Sequence, residues 1–172
     1  RETMAEQRPY LHLAELLGRF CVQLEPENVE RDEIEVAGHV ARWDPALVGR
    51  AVLKGLLGRV TAQAVNLVNA HLIAEERGLS MEIRTDPESV SGYTNLITVT
   101  TQAGAGRKII AGTVFDGVPR IVRLRDLHIE FIPEGHILVL AYEDRPGMVG
   151  RIGSILGRHD VNIASMHGGR PT

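Results

Sequence analysis

The chain has 172 residues, 44% of them apolar, which suits one domain or two small ones with a buried core. A formal net charge of −3 and an aromatic content of 4% exclude a basic nucleic-acid binder and leave no base-stacking platform. The single cysteine, Cys21, excludes an intrachain disulfide. No apolar run reaches membrane-spanning length and no signal peptide opens the chain, so a cytoplasmic location without a membrane partner is expected.

The chain starts at Arg1 inside a helical pattern, "RETMAEQRPYLHLAELLGRFCVQL", and is expected to be a segment of something longer. Leu13, Leu16, Leu17, Phe20 and Leu24 recur at three- and four-residue spacing and mark one face of an amphipathic helix. Cys21 lies in that pattern, where a plain core thiol is the better reading than a nucleophile. Glu25-Pro26-Glu27-Asn28 ends the helix. "VERDEIEVAGHVA" alternates as a strand with charge on its outer face.

Asp44-Pro45 reads as an N-cap followed by proline at the first helical position, opening "ALVGRAVLKGLLGRV" with Leu47, Ala51, Leu53 and Leu57 inward. "TAQAVNLVNAHLIAEERG" predicts one or two further helices, capped at Gly78. The period then changes. "LSMEIRT", "TNLITVTTQ", "RKIIAGTVFDG", "PRIVRLRD" and "LHIEFIP" read as strands, with turns at Asp86-Pro87, Gly104-Ala105-Gly106, Asp116-Gly117 and Arg125-Asp126. Helices first and hairpins afterwards predict an α+β fold, not a doubly wound sheet. Gly135 closes this block, and "HILVLAY" is expected to open a second small domain as its first strand.

No dinucleotide fingerprint, Walker loop, zinc-protease or nucleophile-elbow motif occurs. The glycines at 150, 153 and 157 lie within a helical pattern and are read as letting that helix pack close to a sheet. The seven histidines, among them His128, make no metal-ligand spacing, so no metal site is predicted. Arg107, Lys108, Arg120, Arg123 and Arg125 read first as a solvated sheet face. Arg120, Arg123 and Arg125 share one side with His128 just beyond, which also suits a phosphate or carboxylate.

Asp144-Arg145-Pro146-Gly147 is the sharpest local feature. One reading is a well-made strand-to-helix turn, Asp144 capping the helix and Pro146 presetting its first turn. The other adds a ligand: the helix amides attract a carboxylate, Asp144 faces an ammonium group and Asn162 offers a donor and an acceptor. Together they match an amino-acid zwitterion.

From "HILVLAYEDRPGMVGRIGSILGRHDVNIASMHGGR" the end of the chain resembles the first half of an ACT domain, a βαββαβ amino-acid-binding module. With "RPYLHLAELLGRF", "AVNLVNAHLIAEERGL", "YTNLITVTTQAG" and "AGTVFDGVPRIVRL", the chain resembles the region after the catalytic part of long-form D-3-phosphoglycerate dehydrogenases. The resemblance implies a two-layer intervening (allosteric substrate-binding) domain over 1–134, helices on a mostly antiparallel sheet. Its leading helix, 1–26, is placed to pack on the absent catalytic part. A truncated ferredoxin-like ACT domain follows over 135–172, with its third strand, second helix and fourth strand missing.

The resemblance further implies a homo-oligomer held through ACT and intervening domains, with L-serine as effector at the ACT interface. The matching contacts are Tyr142, Asp144 and Asn162, with the backbone of Pro146 and Gly147. An anion effector falls to Arg120 and His128, but Ile132 stands where a further basic contact is expected. NAD and the catalytic residues belong to the parent enzyme, which leaves this fragment without a cofactor or catalytic residue. Two rivals stand beside this reading: a stand-alone amino-acid-binding or assembly module, and a regulatory part of L-serine dehydratase. The lone Cys21 argues against the second, which needs cysteines for an iron–sulfur cluster.

Overall fold

The computed structural model describes residues 4–24, 31–88, 92–103 and 106–169, so the expected stop at Glu25-Pro26-Glu27-Asn28 and the Gly104-Ala105 part of one turn lie outside the described residues. The chain divides into two compact units, one up to Pro133 and a second over Glu134–Gly168.

The first unit is an α+β layer pair. Helices α1 (Met4–Leu24), α2 (Pro45–Leu57) and α3 (Ala70–Glu76) accompany six strands: β1 (Arg31–Gly38), β2 (Ser80–Asp86), β3 (Asn95–Ala103), β4 (Gly106–Phe115), β5 (Val118–Leu124) and β6 (Leu127–Phe131). The sheet order is β2-β1-β3-β4-β5-β6, antiparallel throughout except for the β1–β2 pair. That parallel pair is the one joined through helices, as a crossover requires. Every strand predicted in this block is present, but "VERDEIEVAGHVA" is strand only over Arg31–Gly38: His39–Arg42 form a 3-10 helix, and Val29 and Glu30 lie outside the described residues.

The core lies between α1, α2 and one sheet face. Leu13 and Leu17 of α1 and Val48 and Val52 of α2 meet Ile34, Val36, Ile97, Val99, Ile110 and Ile121, all nearly or fully buried. On α1 the buried stripe runs through Leu13, Ala14, Leu17, Gly18 and Cys21, while Leu16, Phe20 and Leu24 are half-buried. A second cluster seats Leu53, Leu56 and Leu57 of α2 on Ala70, Ile73 and Ala74 of α3.

Local signals explain most boundaries. Asp44 caps α2, its carboxylate accepting from the Ala46 amide at 3.0 Å, with Pro45 in the first turn. Gly78 (φ 70°) closes α3 in a Schellman motif: Gly78 N–H donates to Glu75 O and Leu79 N–H to Ala74 O, both at 3.0 Å. Asp116 and Gly117 both take positive φ, as the two-residue β4–β5 hairpin demands.

The helical expectation for 61–69 is corrected. There Asn66 Oδ1 accepts from the amides of Val68 and Asn69, Asn69 Oδ1 accepts from the Asn66 amide, and Asn69 Nδ2 donates to Ala64 O. These side chains compete with helical hydrogen bonds, so α3 begins only at Ala70.

In the second unit, α4 (Met148–Arg158) is the one regular element among the described residues. The strands expected around "HILVLAY" and after the helix carry no sheet hydrogen bonds. In a split βαβ unit the strands flanking the helix are not neighbours; a third lies between them. Neither segment therefore finds its partner within 134–168. No residue of α4 is buried. A Cβ at Gly150, Gly153 or Gly157 would meet nothing within 4 Å, so no sheet closes on the glycines that were expected to pack.

Candidate functional site

The turn before α4 is built by two residues. Met148 N–H donates to Arg145 O, Pro146 takes the second position and Gly147 the third at φ 87°, ψ −5°. This is a type II turn, which needs positive φ at its third residue and favours proline before it. Gly147 is itself the N-cap, without a side-chain cap, and its carbonyl accepts the first helical bond from Arg151. The expectation that Asp144 caps the helix is therefore corrected: the turn sets Asp144 three residues upstream of the cap.

Tyr142, Asp144 and Asn162 are exposed, Tyr142 to 45%. Arg145 instead pairs with its neighbour Glu143. At the far end, Asp160 (φ 55°) closes α4 in a second Schellman motif through the Val161 amide and Leu156 O, and Asn162 follows directly. The fold of this unit thus puts Tyr142 and Asp144 ahead of the helix start and Asn162 just past its end. Of the first helix amides after Gly147, that of Met148 is taken up by Arg145 O in the turn, while those of Val149 and Gly150 belong to the first turn, which lacks helical acceptors.

Arg120 and His128 lie on the sheet face that no helix covers. Simple alternation would separate Arg120 from Arg123, three residues apart. A bulge between Ile121 and Arg123 removes that objection: Gly112 faces Ile121, Ala111 faces Arg123, and Ile121 and Val122 are both buried. Arg120 and Arg123 consequently share the outer face, where Arg123 stands opposite His128. Arg120 donates from Nη1 to Glu130 at 2.9 Å and lies 5.7 Å over the Phe115 ring, while its buried Nε has no hydrogen-bond partner. Arg123 donates to Arg125 O. An anion on this face therefore competes with a carboxylate already in place.

Further along the same face, Arg31, Glu82, Arg84, Glu33 and Arg107 form a chain of exposed ion pairs. The arginines hold the Glu82 carboxyl below its ordinary value, Arg84 first and then Arg31. This is a solvated face, as read for its strands.

Sequence reasoning missed two features. Gly18 and Gly55 let α1 and α2 touch backbone to backbone: a Cβ at Gly18 would stand 2.0 Å from Val52 O, and one at Gly55 2.0 Å from Glu15 O. Their signal was present, glycine inside an apolar helical stripe. The other is Asp32, an acid in phase with Ile34 and Val36 and fully buried with them. Among the described residues no group of three or more His, Cys, Asp or Glu is placed to hold a metal, and no helix is long and apolar enough to cross a membrane.

Residues 6–125 match the family model described as the D-3-phosphoglycerate dehydrogenase intervening domain, and residues 136–172 match the ACT domain model. Among curated proteins, the chain is 36% identical over 171 residues to D-3-phosphoglycerate dehydrogenase of Methanocaldococcus jannaschii, covering 99% of this chain and 32% of that protein. It is 34% identical to that of Archaeoglobus fulgidus (94% of this chain, 31% of the relative) and 33% identical to that of Bacillus subtilis (99% and 32%). The chain thus spans about a third of the length of the curated relatives it matches.

Proposed function

The chain belongs to the D-3-phosphoglycerate dehydrogenase intervening-domain family, with an ACT-domain match after it, and on that premise we propose that it is the regulatory and oligomerisation portion of such an enzyme. The parent oxidises 3-phosphoglycerate to 3-phosphohydroxypyruvate with NAD, opening L-serine biosynthesis in the cytoplasm. Hydride transfer belongs to the parent's catalytic part; this fragment carries assembly and sensing. The observation behind the reading is the order of the two modules in one chain, shared along its whole length with proteins of that name.

L-Serine is the effector we assign to the second unit. Its carboxylate would lie at the first-turn amides of Val149 and Gly150, where the helix dipole favours an anion. Asp144 would take the ammonium group, and Asn162 and Tyr142 the remaining polar atoms. Because these side chains are exposed here, the pocket needs a second surface, supplied by pairing of ACT sheets in a homo-oligomer. Serine bound across two chains favours one pairing over another, which is how a ligand shifts an equilibrium between states.

Isothermal calorimetry with L-serine on the chain extended through a complete ACT domain tests this. Asp144→Ala and Asn162→Ala are each expected to weaken binding by about tenfold or more, the loss of a charge-assisted or buried hydrogen bond. Undiminished binding by both variants overturns the assignment. An anion effector at Arg120 and His128 is a secondary reading, supported by the unpartnered Nε of Arg120 and opposed by the Glu130 ion pair.

A further inference from the structure

Asp32 is wholly buried on the helix-covered face of β1, and neither carboxyl oxygen has a hydrogen-bond partner. In the sheet it stands in register with Met81 on β2 and Thr101 on β3, and Thr101 stands in register with Lys108 on β4. From α1, Cys21, itself buried, lies within electrostatic reach of Asp32. Beside this row a cleft opens under the last turn of α1, lined by Cys21, Leu24, Thr101, Lys108, Ile110 and Arg125.

We propose that Asp32 is a proton-controlled latch for the C-terminal turn of α1: while protonated it stays buried and the turn stays seated, and on ionising it draws water through the cleft and the turn lifts. Three features carry this. A carboxylate buried without a partner is strongly disfavoured in its charged form, so the seated state holds the acid form. The helix end adds its own negative partial charge, and the last turn of α1 carries no basic residue to offset it. The cleft, which Lys108 and Arg125 help to line, supplies the route by which the charge reaches water.

Among the described residues the groups facing Asp32 are few. Met81 and Thr101 do not titrate. Burial, and then the Asp32 charge, push the Cys21 thiol up, so it remains neutral. Lys54 on α2 is engaged with Glu15. Lys108, beyond Thr101, is held below its ordinary value by desolvation and by Arg125. With no cation paired to it among the described residues, burial pushes Asp32 up to about 7. The sign follows: the opened turn binds fewer protons than the seated one between the ordinary carboxylate range and neutrality, so seating weakens as pH rises and levels off above about 7.

Cys21 is the chain's only cysteine and reports on this turn directly. Its alkylation by iodoacetamide in the intact chain, divided at each pH by the rate in the urea-unfolded chain, measures opening without the thiolate fraction. Between about pH 5 and about pH 7 the ratio is expected to rise roughly fiftyfold and then flatten, from a folded pKa near 7 against an ordinary carboxylate. Asp32→Asn should abolish the rise. At low urea the ratio should not respond to denaturant, as for local opening. A flat wild-type profile, the same rise in Asp32→Asn, or labelling that only tracks global unfolding overturns the proposal. Should Asp32→Asn not fold, carbon-13 NMR of the wild-type Asp32 carboxyl decides: a midpoint near neutrality supports the latch, and one in the ordinary carboxylate range overturns it.

Discussion

Asn95 ties three elements with one residue. Its Oδ1 accepts from the Val40 amide at 3.0 Å, its Nδ2 donates to Tyr10 Oη at 2.8 Å, and its backbone carbonyl accepts from Thr113 Oγ1 at 2.6 Å. Burial pushes the Tyr10 phenol up, so it stays neutral and available as an acceptor, and its ring packs edge-on to Trp43 at 5.3 Å. The amide anchor sits where Gly38 (φ 89°) lets β1 turn within reach of Thr94 O. Asn95→Ala strands a backbone donor and removes the Tyr10 contact together. A loss of about 2 kcal/mol in urea unfolding is expected from buried groups left unpaired. Asn95→Asp keeps an acceptor for the Val40 amide and offers one to the Tyr10 hydroxyl, so it should lose less; equal losses would mean that neither bond carries the stability assigned to it.

At the scale of elements, the α1–α2 crossing shows what the sequence disclosed and what it hid. Helices, strands and turns of the first unit were legible because period, caps and hairpin residues agree locally: Asp44-Pro45, Gly78 and Asp116-Gly117 each sit where their chemistry demands. The helix over 61–69 was misread because two asparagines satisfy the backbone by themselves, which apolar periodicity does not report. Close-packing glycines were sought in α4 and occur at Gly18 and Gly55, since which helix meets backbone is a tertiary fact. The residues nominated for serine were legible as residue types, but the cap belonged to Gly147 and not to Asp144, because a type II turn intervenes.

That contrast is measurable. Gly18→Ala places a methyl 2.0 Å from Val52 O, and only separation of the two helices relieves it. A loss of about 2–3 kcal/mol in chemical denaturation is expected from overpacking. Gly150→Ala meets open space and improves helix propensity, so in this chain it should be neutral or stabilising by about 0.5–1 kcal/mol. Comparable losses for both substitutions would mean that α4 packs on something its present surroundings lack.

The whole molecule joins one unit with a closed core to one without. Up to Pro133, two helices seal one sheet face, and the other face is charged enough to meet water. Over Glu134–Gly168 the apolar side chains Leu138, Val139, Leu140, Val149, Val161 and Met166 are 44–62% exposed. Covering such surface is worth about 25 cal/mol per Å2, and backbone without sheet partners adds a template for another chain. Self-association through this segment is therefore expected of the chain as it stands. Sedimentation velocity at micromolar concentration should show species larger than a monomer. Replacing Leu138 and Leu140 together by lysine should shift them toward monomer, because two charges in place of two exposed apolar side chains oppose burial against another chain. The same pair should leave the urea midpoint of the first unit unchanged, since its core contains neither residue. A wild-type chain that stays monomeric across that range would mean that the apolar surface of this segment does not drive association.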